Sequence, residues 1–514
     1  MADNSSTNIK KGTVITYITQ FLGIGISFFY VPIMLGILGQ DEYGLYALVQ
    51  SIVAYFQMSD MGIGITATRY NAKYMAEGDV EGQRNINGMF LVLYTIIAAV
   101  CGLGGFVLYQ YLPQIYDHYS ADSISLIQNL FILAMINLVL TLVFKIYNAI
   151  IVAYERFVFA KTIQLIQTVL GPIGMLAVLY LGYRSVGMVI VTTVLTALFG
   201  FVQLIYCHKV LDVKFRFNKF DKVLFGTIMS FTLFVFLNSL SHQLFSNSDK
   251  IIVSILLTEA SIAVYAIVIQ FQTYFYNFAN VLSGFYLPRF TKMVKGTRTM
   301  TSEVMNEVIR VGRVQVIIAG LIFGGFASLG HPFVIRWVGP DYELAYYLTI
   351  LLLFCEFVAS SQSMFNSLMQ AMNLHRLRSV IGFVAALVKI GITIGLVYAW
   401  GLWGCAIAYA VSFMIRLIAY NLYYRHVGID VIQFWTEIIK ILLPISACIF
   451  VLFGIFTLIQ LFINLENYWL IIAFGLLYVV LFFLILWKIC FSEYERALFH
   501  SIANKFLTVV KHGK

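Results

Sequence analysis

Two adjacent charges in an apolar run are the first candidates for chemistry in this sequence. Residues 244–257 read LFSNSDKIIVSILL, which places Asp249 and Lys250 in a segment otherwise suited to hydrocarbon. Four further charges lie deep in other apolar segments, namely Lys145, Glu356, Lys389 and Arg416. A charge that faces lipid is costly, so intramembrane charges usually face the protein interior or a water-filled cavity. Together, the six charges predict a hydrated cavity that is net basic.

Helical geometry keeps Asp249 and Lys250 from neutralising each other as an ion pair. His242 and Asp249 fall on one helix face, whereas Lys250 points about 100° away from it. Both charges must therefore find partners elsewhere, and we favour a role of the whole set in handling a substrate. The alternative is that these charges form salt bridges that only hold parts of the protein together.

Polar residues recur at helical spacing in two apolar segments. One segment, 261–287, carries Gln270, Thr273, Asn277 and Asn280 on one face, and the other, 344–371, carries Glu356, Ser360, Ser363, Ser367 and Gln370. Such faces suit the wall of a hydrated cavity. Hydrogen bonds between membrane helices are the alternative explanation for each face.

The composition identifies the class of protein. Of the 514 residues, 61% are hydrophobic and 11% are charged, and the mean hydropathy is +0.88. Apolar runs of about 20 residues match the length that a helix needs to cross a bilayer. We predict an all-α polytopic membrane protein with about fourteen transmembrane helices. Their predicted ranges are 13–37, 44–67, 87–110, 127–151, 163–182, 186–207, 223–257, 261–287, 311–330, 344–371, 379–399, 402–424, 437–462 and 468–489.

Basic residues in alternate loops predict the orientation of these helices. Lys and Arg cluster at 10–11, 69–84, 156–161, 209–222, 289–313, 376–378, 425–440 and in the C-terminal tail. The only basic residues in the opposite loops are Arg184 and Arg336. Because cytoplasmic loops carry the excess of Lys and Arg, we expect these clusters and both termini to be cytoplasmic. This topology accounts for the net charge of +9 without a nucleic-acid partner.

The sequence shows no pattern that predicts a cofactor or an enzyme. The six cysteines are scattered through apolar segments, and the eight histidines form no cluster with metal-ligand spacing. No glycine-rich phosphate loop follows a soluble strand. We therefore expect neither a metal nor a nucleotide site.

An internal repeat predicts the domain organisation. With a shift of about 218 residues, LGQDEYGLYALVQSIVAYF aligns with LTEASIAVYAIVIQFQTYF, YNAIIVAY with FNSLMQAM, and GYRSVG with WGLWG. We predict two six-helix bundles, 1–215 and 216–428, followed by two additional transmembrane helices in 429–490 and a cytoplasmic amphipathic tail, 491–514. Two parallel halves of this kind are typical of transporters in which a central cavity opens to alternate faces.

Three stretches of the sequence resemble a known family. They are KGTVITYITQFLGIGISFFYVPIMLGILGQDEYGLYALV, SDMGIGITATRY, which contains Asp60 and Arg69, and SDKIIVSILLTEASIAVYAI. In these stretches the chain is similar to the polysaccharide and O-antigen flippases of the multidrug/oligosaccharidyl-lipid/polysaccharide exporter superfamily, and the similarity runs over nearly the full length.

The resemblance implies a bacterial inner-membrane protein that moves a polyprenyl-pyrophosphate-linked oligosaccharide to the outer leaflet. Membrane lipids and polysaccharide assembly proteins are the other partners considered. The expected head-group ligands are Lys145, Lys250, Lys389 and Arg416 with Gln270 and Asn277, because Lys and Arg suit a pyrophosphate. Coupling to H⁺ or Na⁺, or gating, is assigned to Asp249, Glu356, His242, Asp60 and Arg69. For His242 the alternative is a role in hydrogen bonding only. For Arg69 the alternative is an anchor at the membrane interface, and for Asp60 it is a cap of a neighbouring group.

Two other functions are alternatives. A cation-coupled multidrug exporter of the same superfamily would share the two bundles, but an acidic or aromatic cavity would suit its cationic drugs better. A membrane glycosyltransferase or polymerase is the enzyme alternative, and the short outer loops lack a carboxylate constellation that would favour it. The excess of lysine and arginine favours the flippase.

Overall fold

A computed structural model describes residues 2–60, 62–217, 222–280, 283–294, 300–463, 465, 467–492 and 495–497. Within these ranges the chain forms helices and no β-strand. The helices of the first half are α1 (Ala2–Leu38), α2 (Gln40–Gln57), α3 (Ile63–Glu77), α4 (Val80–Ile115), α5 (Ala121–Ala153), α6 (Phe157–Tyr180), α7 (Arg184–Lys209) and α8 (Lys222–Leu256). Those of the second half are α9 (Glu259–Ala279), α10 (Ser283–Val294), α11 (Ser302–Val338), α12 (Glu343–Ser360), α13 (Ser363–Ala371), α14 (His375–Trp400), α15 (Leu402–His426), α16 (Val431–Phe462) and α17 (Tyr468–Ile489).

The helices confirm the predicted all-α membrane fold. Three of the predicted spans each correspond to two helices. The span 44–67 is α2 and α3, the span 261–287 is α9 and α10, and the span 344–371 is α12 and α13. Hydropathy alone missed these interruptions because a few polar residues, such as Asp60 and Gln362, hardly change the mean hydropathy of a whole span. Among the described residues, eleven helices are long and apolar enough to cross a membrane. The protein is a multi-pass membrane protein, and the count of fourteen spans stays a prediction.

One interruption recurs at the predicted repeat distance. The first follows α2, where a 3-10 turn covers Met58–Asp60 and Gly62 adopts a φ of 75°. Glycine accepts this left-handed conformation without the steric penalty of a Cβ atom. The predicted shift carries 58–62 onto 276–280, and α9 ends within that range at Ala279.

The chain separates into two compact units, Met1–Ala266 and Ile267–Lys514. In the first unit, α5 packs against α7 and α4, α1 packs against α6, and α8 contacts α2. Its core contains buried side chains from α3, α4 and α5, such as Ile63, Phe90 and Ile150. Lipid tails are as apolar as these side chains, so moving the side chains out of lipid provides no hydrophobic driving force. The tight packing between the helices is therefore what stabilises the unit.

The second unit has its largest core around α11. This helix packs against α12, α16 and α17, while α14 packs against α15. Arg313 of α11 donates to both carboxylate oxygens of Glu495, at 2.7 and 3.1 Å. Burial raises the pKa of Glu495, but hydrogen bonds from Arg313 and Ser492 outweigh this and lower it overall. The segment after α17 is therefore fastened to α11 by a charged contact.

The predicted boundaries at 215/216 and 428/429 follow the sequence repeat and stay predictions. Spatially, α8 lies with the first unit. Of the predicted amphipathic tail, residues 493–494 and 498–514 lie outside the described residues.

The contacts of Glu42, a largely buried carboxylate, explain part of one of the stretches that resemble the family. Glu42, on the first turn of α2, accepts hydrogen bonds from the backbone nitrogen and the Oγ of Ser185, at 2.9 and 2.6 Å. Arg184 donates to the same carboxylate at 2.5 Å and to the carbonyl oxygen of Leu38 at 2.9 Å. Glu42 thus caps the N-terminus of α7, where the helix dipole favours a negative charge.

We expect Glu42→Ala to destabilise the first unit by roughly 1.5–3 kcal/mol, because the substitution removes charged hydrogen bonds from a nearly buried site. Thermal unfolding of the detergent-solubilised protein measures the change. Asp41→Ala is the matched control, since Asp41 is the adjacent carboxylate and is exposed. Equal unfolding temperatures for the two variants would show that the cap has no energetic importance.

Candidate functional site

The first candidate site lies where α2 is interrupted. The Lys145 Nζ lies 2.9 Å from the Asp60 Oδ2, and the Tyr94 hydroxyl donates to the Asp60 Oδ1 at 2.7 Å. We call these three residues the Asp60 triad. Tyr94 is fully buried, whereas the Lys145 side chain is 39% exposed and that of Asp60 is 17% exposed. The triad thus joins a buried hydroxyl donor to a cation whose side chain is partly exposed.

Three elements position the triad. Asp60 ends the 3-10 turn that follows α2, Tyr94 lies on α4 and Lys145 lies on α5. The sequence predicts that Asp60 and Arg69 both lie toward the cytoplasmic end of the second helix, 44–67. This is wrong, because that span is interrupted and a new helix, α3, begins after Gly62. Arg69 lies on α3, is exposed, and is not a member of the triad.

A second carboxylate lies on the helix beside the triad. Asp249 of α8 is fully buried and accepts a hydrogen bond of 2.5 Å from the Tyr265 hydroxyl of α9. α8 also contacts the 3-10 turn that carries Asp60. Lys250 is half-buried and His242 is exposed. The first unit therefore holds four of the predicted ionisable site residues along α8 and the interruption of α2, namely Asp60, His242, Asp249 and Lys250.

The second unit contains a separate buried cluster around Glu356. The Gln272 Nε2 donates to the Glu356 Oε1 at 3.1 Å and contacts the Tyr409 hydroxyl at 2.7 Å. The Tyr409 hydroxyl in turn donates to the Glu356 Oε1. The Lys389 Nζ lies 5.4 Å from the centre of the Tyr409 ring, within the range of a cation–π interaction. We call Gln272, Glu356, Lys389 and Tyr409 the Glu356 cluster.

The Glu356 cluster is drier than the Asp60 triad. Lys389 is fully buried, and Glu356 is 9% exposed. The structure thus brings together two residues that the sequence predicted, from α12 and α14, with two that it did not, from α9 and α15.

The remaining predicted ligands lie on α15 and α9. Arg416 of α15 is half-buried, and Asn277 of α9 is exposed. Gln270 donates to the Tyr274 hydroxyl one turn along α9 at 2.7 Å. Asn280 follows the end of α9, so the predicted polar face is shorter than expected.

Two of the three serines of the other predicted polar face bond to neighbouring helices, whereas Ser360 donates to the Phe357 carbonyl of its own helix. Ser363 donates to the Gln315 Oε1 of α11 at 2.6 Å, and Ser367 donates to the Ser283 carbonyl of α10 at 2.8 Å. Ser283 and Ser363 are themselves 3.0 Å apart. These contacts match the alternative of hydrogen bonding between helices, and Glu356 is the member of this face that enters a charged cluster.

Sequence reasoning missed a feature that all three carboxylates share. Asp60, Asp249 and Glu356 each accept a hydrogen bond from a tyrosine, and the donors are Tyr94, Tyr265 and Tyr409. Tyrosine is common in this chain, with 32 residues, so no single one stood out. Within the described part of the chain no group of three or more His, Cys, Asp or Glu residues could hold a metal ion.

Comparison with known proteins gives the family. Residues 9–294 match the profile of the polysaccharide biosynthesis protein family, which is more than half of the chain. The chain belongs to this family. The matched residues include the whole Asp60 triad and Asp249, whereas Glu356, Lys389 and Arg416 lie beyond them.

The chain is also similar to proteins that are named as transporters or flippases. A Salmonella typhi protein described as an O-antigen transporter is 23% identical over 376 residues, which cover 70% of this chain and 82% of the relative. The lipid II flippase MurJ in its inward closed conformation matches with a TM-score of 0.70 at 15% identity, covering 92% of this chain and 98% of MurJ. An inward-facing multidrug resistance MATE transporter of the MOP superfamily matches with a TM-score of 0.58 at 14% identity, covering 83% of this chain and 99% of its own. The chain therefore has the MurJ and MATE fold.

Proposed function

We propose that this protein is a flippase that moves a polyprenyl-pyrophosphate-linked oligosaccharide across the bacterial cytoplasmic membrane by alternating access, for the synthesis of cell-surface polysaccharide. The observation that carries the proposal is the Asp60 triad, in which a reachable lysine is held by a carboxylate. Membership of the polysaccharide biosynthesis family, the O-antigen transporter relative and the fold shared with a lipid II flippase support it.

The proposed chemistry is an exchange of partners. A pyrophosphate carries oxygens that accept charge-assisted hydrogen bonds from lysine and arginine. When it arrives at Lys145 it replaces Asp60, which keeps the hydrogen bond from Tyr94. We propose Lys250, Lys389 and Arg416 as further donors to the head group, with Gln270 and Asn277 as polar contacts to sugar hydroxyls.

We propose that Asp249 and Glu356 link this exchange to an ion gradient. Each is a buried carboxylate with a tyrosine donor, so each is held in place while its charge changes. A bound anion competes for nearby cations, which favours uptake of a proton or a sodium ion by the carboxylate that loses them. H⁺ and Na⁺ are both candidates, and His242 is a candidate for passing a proton.

We propose that both termini and the basic segments 209–222 and 289–313 are cytoplasmic. Single cysteines introduced at Lys214 and Lys292 are expected to resist a membrane-impermeant maleimide applied to whole cells. A cysteine at Tyr183, an exposed residue in the loop before α7, is the control and is expected to react. Labelling at positions 214 and 292 with protection at 183 would reverse the topology.

A flipping assay in proteoliposomes tests the function. The protein is reconstituted with fluorescent polyprenyl-pyrophosphate-linked oligosaccharide, and a membrane-impermeant reagent reports the fraction in each leaflet. We expect protein-dependent exchange between leaflets with the lipid-linked sugar chemically unchanged. Conversion of the sugar without exchange would favour the glycosyltransferase, and transport of cationic drugs without lipid exchange would favour the multidrug exporter.

A further inference from the structure

The connection between α7 and α8 forms a structure that the proposed transport does not use. Residues 212–217 have no regular secondary structure, and Arg216 lies against α4. The Arg216 nitrogen donates to the Arg84 carbonyl of α4 at 3.0 Å. A Cβ atom at Gly88 would lie 1.9 Å from the Arg216 oxygen, so only glycine allows this close approach of the two backbones. We call residues 212–217 the strap.

The strap closes a basic pocket at the ends of α4 and α7. The pocket is lined by Arg84, His208, Val213, Lys214, Phe215 and Arg216, so three of its six lining residues are permanent cations and none is a carboxylate. The nearest carboxylates are on its rim, where Glu81 lies 3.1 Å from Arg216 and Asp212 lies 3.7 Å from Lys214. Both pairs are exposed and therefore weak.

Arg84 is the main indication that this pocket binds a ligand. Its side chain is half-buried, and among the residues that the structure describes its guanidinium has neither an ion pair nor a hydrogen bond. Its backbone carbonyl, by contrast, accepts from the strap. A guanidinium whose donors are not engaged by the protein can bind the oxygens of a phosphate group with two parallel hydrogen bonds.

The surroundings of the pocket are those of a membrane surface. The His208 ring stacks on Phe215 with ring centres 5.6 Å apart, and its Nδ1 lies 3.0 Å from the Leu204 carbonyl, which leaves Nε2 for another partner. Val210, directly after α7, and Phe217, the last residue of the strap, are 60% and 63% exposed. Apolar residues beside a basic cluster at the end of membrane helices suit the boundary between head groups and acyl chains.

We propose that Arg84, Lys214 and Arg216, with His208, bind the phosphate group of an anionic phospholipid at the cytoplasmic face of the first unit. The phosphate bridges α4 and the strap, and it thereby holds the strap against α4. Free phosphate offers the same chemistry, and the experiment separates the two sources. The site does not depend on the identity of the transported substrate.

Native mass spectrometry of the full-length protein tests the site. The protein is purified from mixed micelles with equal amounts of phosphatidylglycerol and phosphatidylcholine, and the ratio of retained lipids is measured. We expect wild-type protein to retain phosphatidylglycerol preferentially, and Arg84→Gln and Arg216→Gln each to lower this preference about fivefold. The matched control is the double variant Lys73→Gln with Lys161→Gln, which removes two exposed cations outside the pocket.

Two further measurements complete this test of the lipid site. Glu81→Gln removes the carboxylate beside Arg216 and is expected to raise the preference for phosphatidylglycerol. Loss of the lipid on addition of millimolar inorganic phosphate would support the anion site and assign it to a soluble phosphate. The proposal fails if the Arg84 and Arg216 variants keep the preference of the control double variant, or if Glu81→Gln lowers it.

Discussion

Alanine at position 145 is expected to slow translocation of the lipid-linked oligosaccharide by roughly tenfold to a hundredfold, the loss that corresponds to removing one charged hydrogen-bond donor from a bound anion. Lys145 is suited to this role because its side chain is partly exposed while Asp60 holds its ammonium at 2.9 Å. The initial rate of exchange between leaflets in proteoliposomes, at matched amounts of protein, measures the effect.

Asp60→Asn distinguishes a ligand from a structural ion pair. If Lys145 binds the head group, the asparagine variant keeps the cation and removes its competitor, so apparent substrate affinity stays the same or rises. If the pair is only structural, removing either partner leaves the other without its counter-charge, and both variants lose stability and transport together. Recovery of transport in the neutral double variant Lys145→Ala with Asp60→Asn would exclude Lys145 as a ligand.

Glutamine at position 356 is expected to abolish accumulation of substrate driven by a proton or sodium gradient, while slow downhill exchange persists. The substitution keeps the shape of the side chain and an acceptor for Tyr409, but it removes the capacity to change charge. Transport into proteoliposomes is measured with an imposed proton gradient, an imposed sodium gradient, both, or neither. The variant is expected to give the same low rate in all four conditions.

Glu343→Gln is the matched control for this prediction. It makes the same substitution on the same helix, α12, at a side chain that is 51% exposed and lies 2.9 Å from His331. Gradient-driven transport by this variant is expected to equal that of the wild type. If Glu356→Gln also accumulates substrate with the wild-type response to both gradients, the Glu356 cluster is structural.

The sequence predicted the helical segments well because membrane helices are long apolar runs, and each predicted span corresponds to one or two observed helices. It did not predict the interruptions after α2, α9 and α12. An interruption leaves hydropathy unchanged when small or polar residues such as Gly62 and Ser361 occur within an apolar background. Only the backbone conformation reveals where the helix axis ends.

The sequence points to the deep charges, but it does not show which side chains pair with them. Deep charges need partners, and this rule drew attention to Lys145 and Glu356. The actual partners are Asp60, 85 positions before Lys145 in the sequence, and the side chains of Gln272 and Tyr409. Such pairs depend on which helix faces meet, and the periodicity of a single helix contains no information about its neighbours.

The position of α8 has a consequence for the biogenesis of the protein. Although the second half of the predicted repeat begins before α8, this helix packs against α2 in the first unit. Domains generally fold as units during synthesis, with the N-terminal one first. The first unit therefore cannot close when α7 leaves the ribosome, since α2 still lacks its neighbour. The flank of α2 stays open until α8 has been inserted, by which time about half of the chain has been translated.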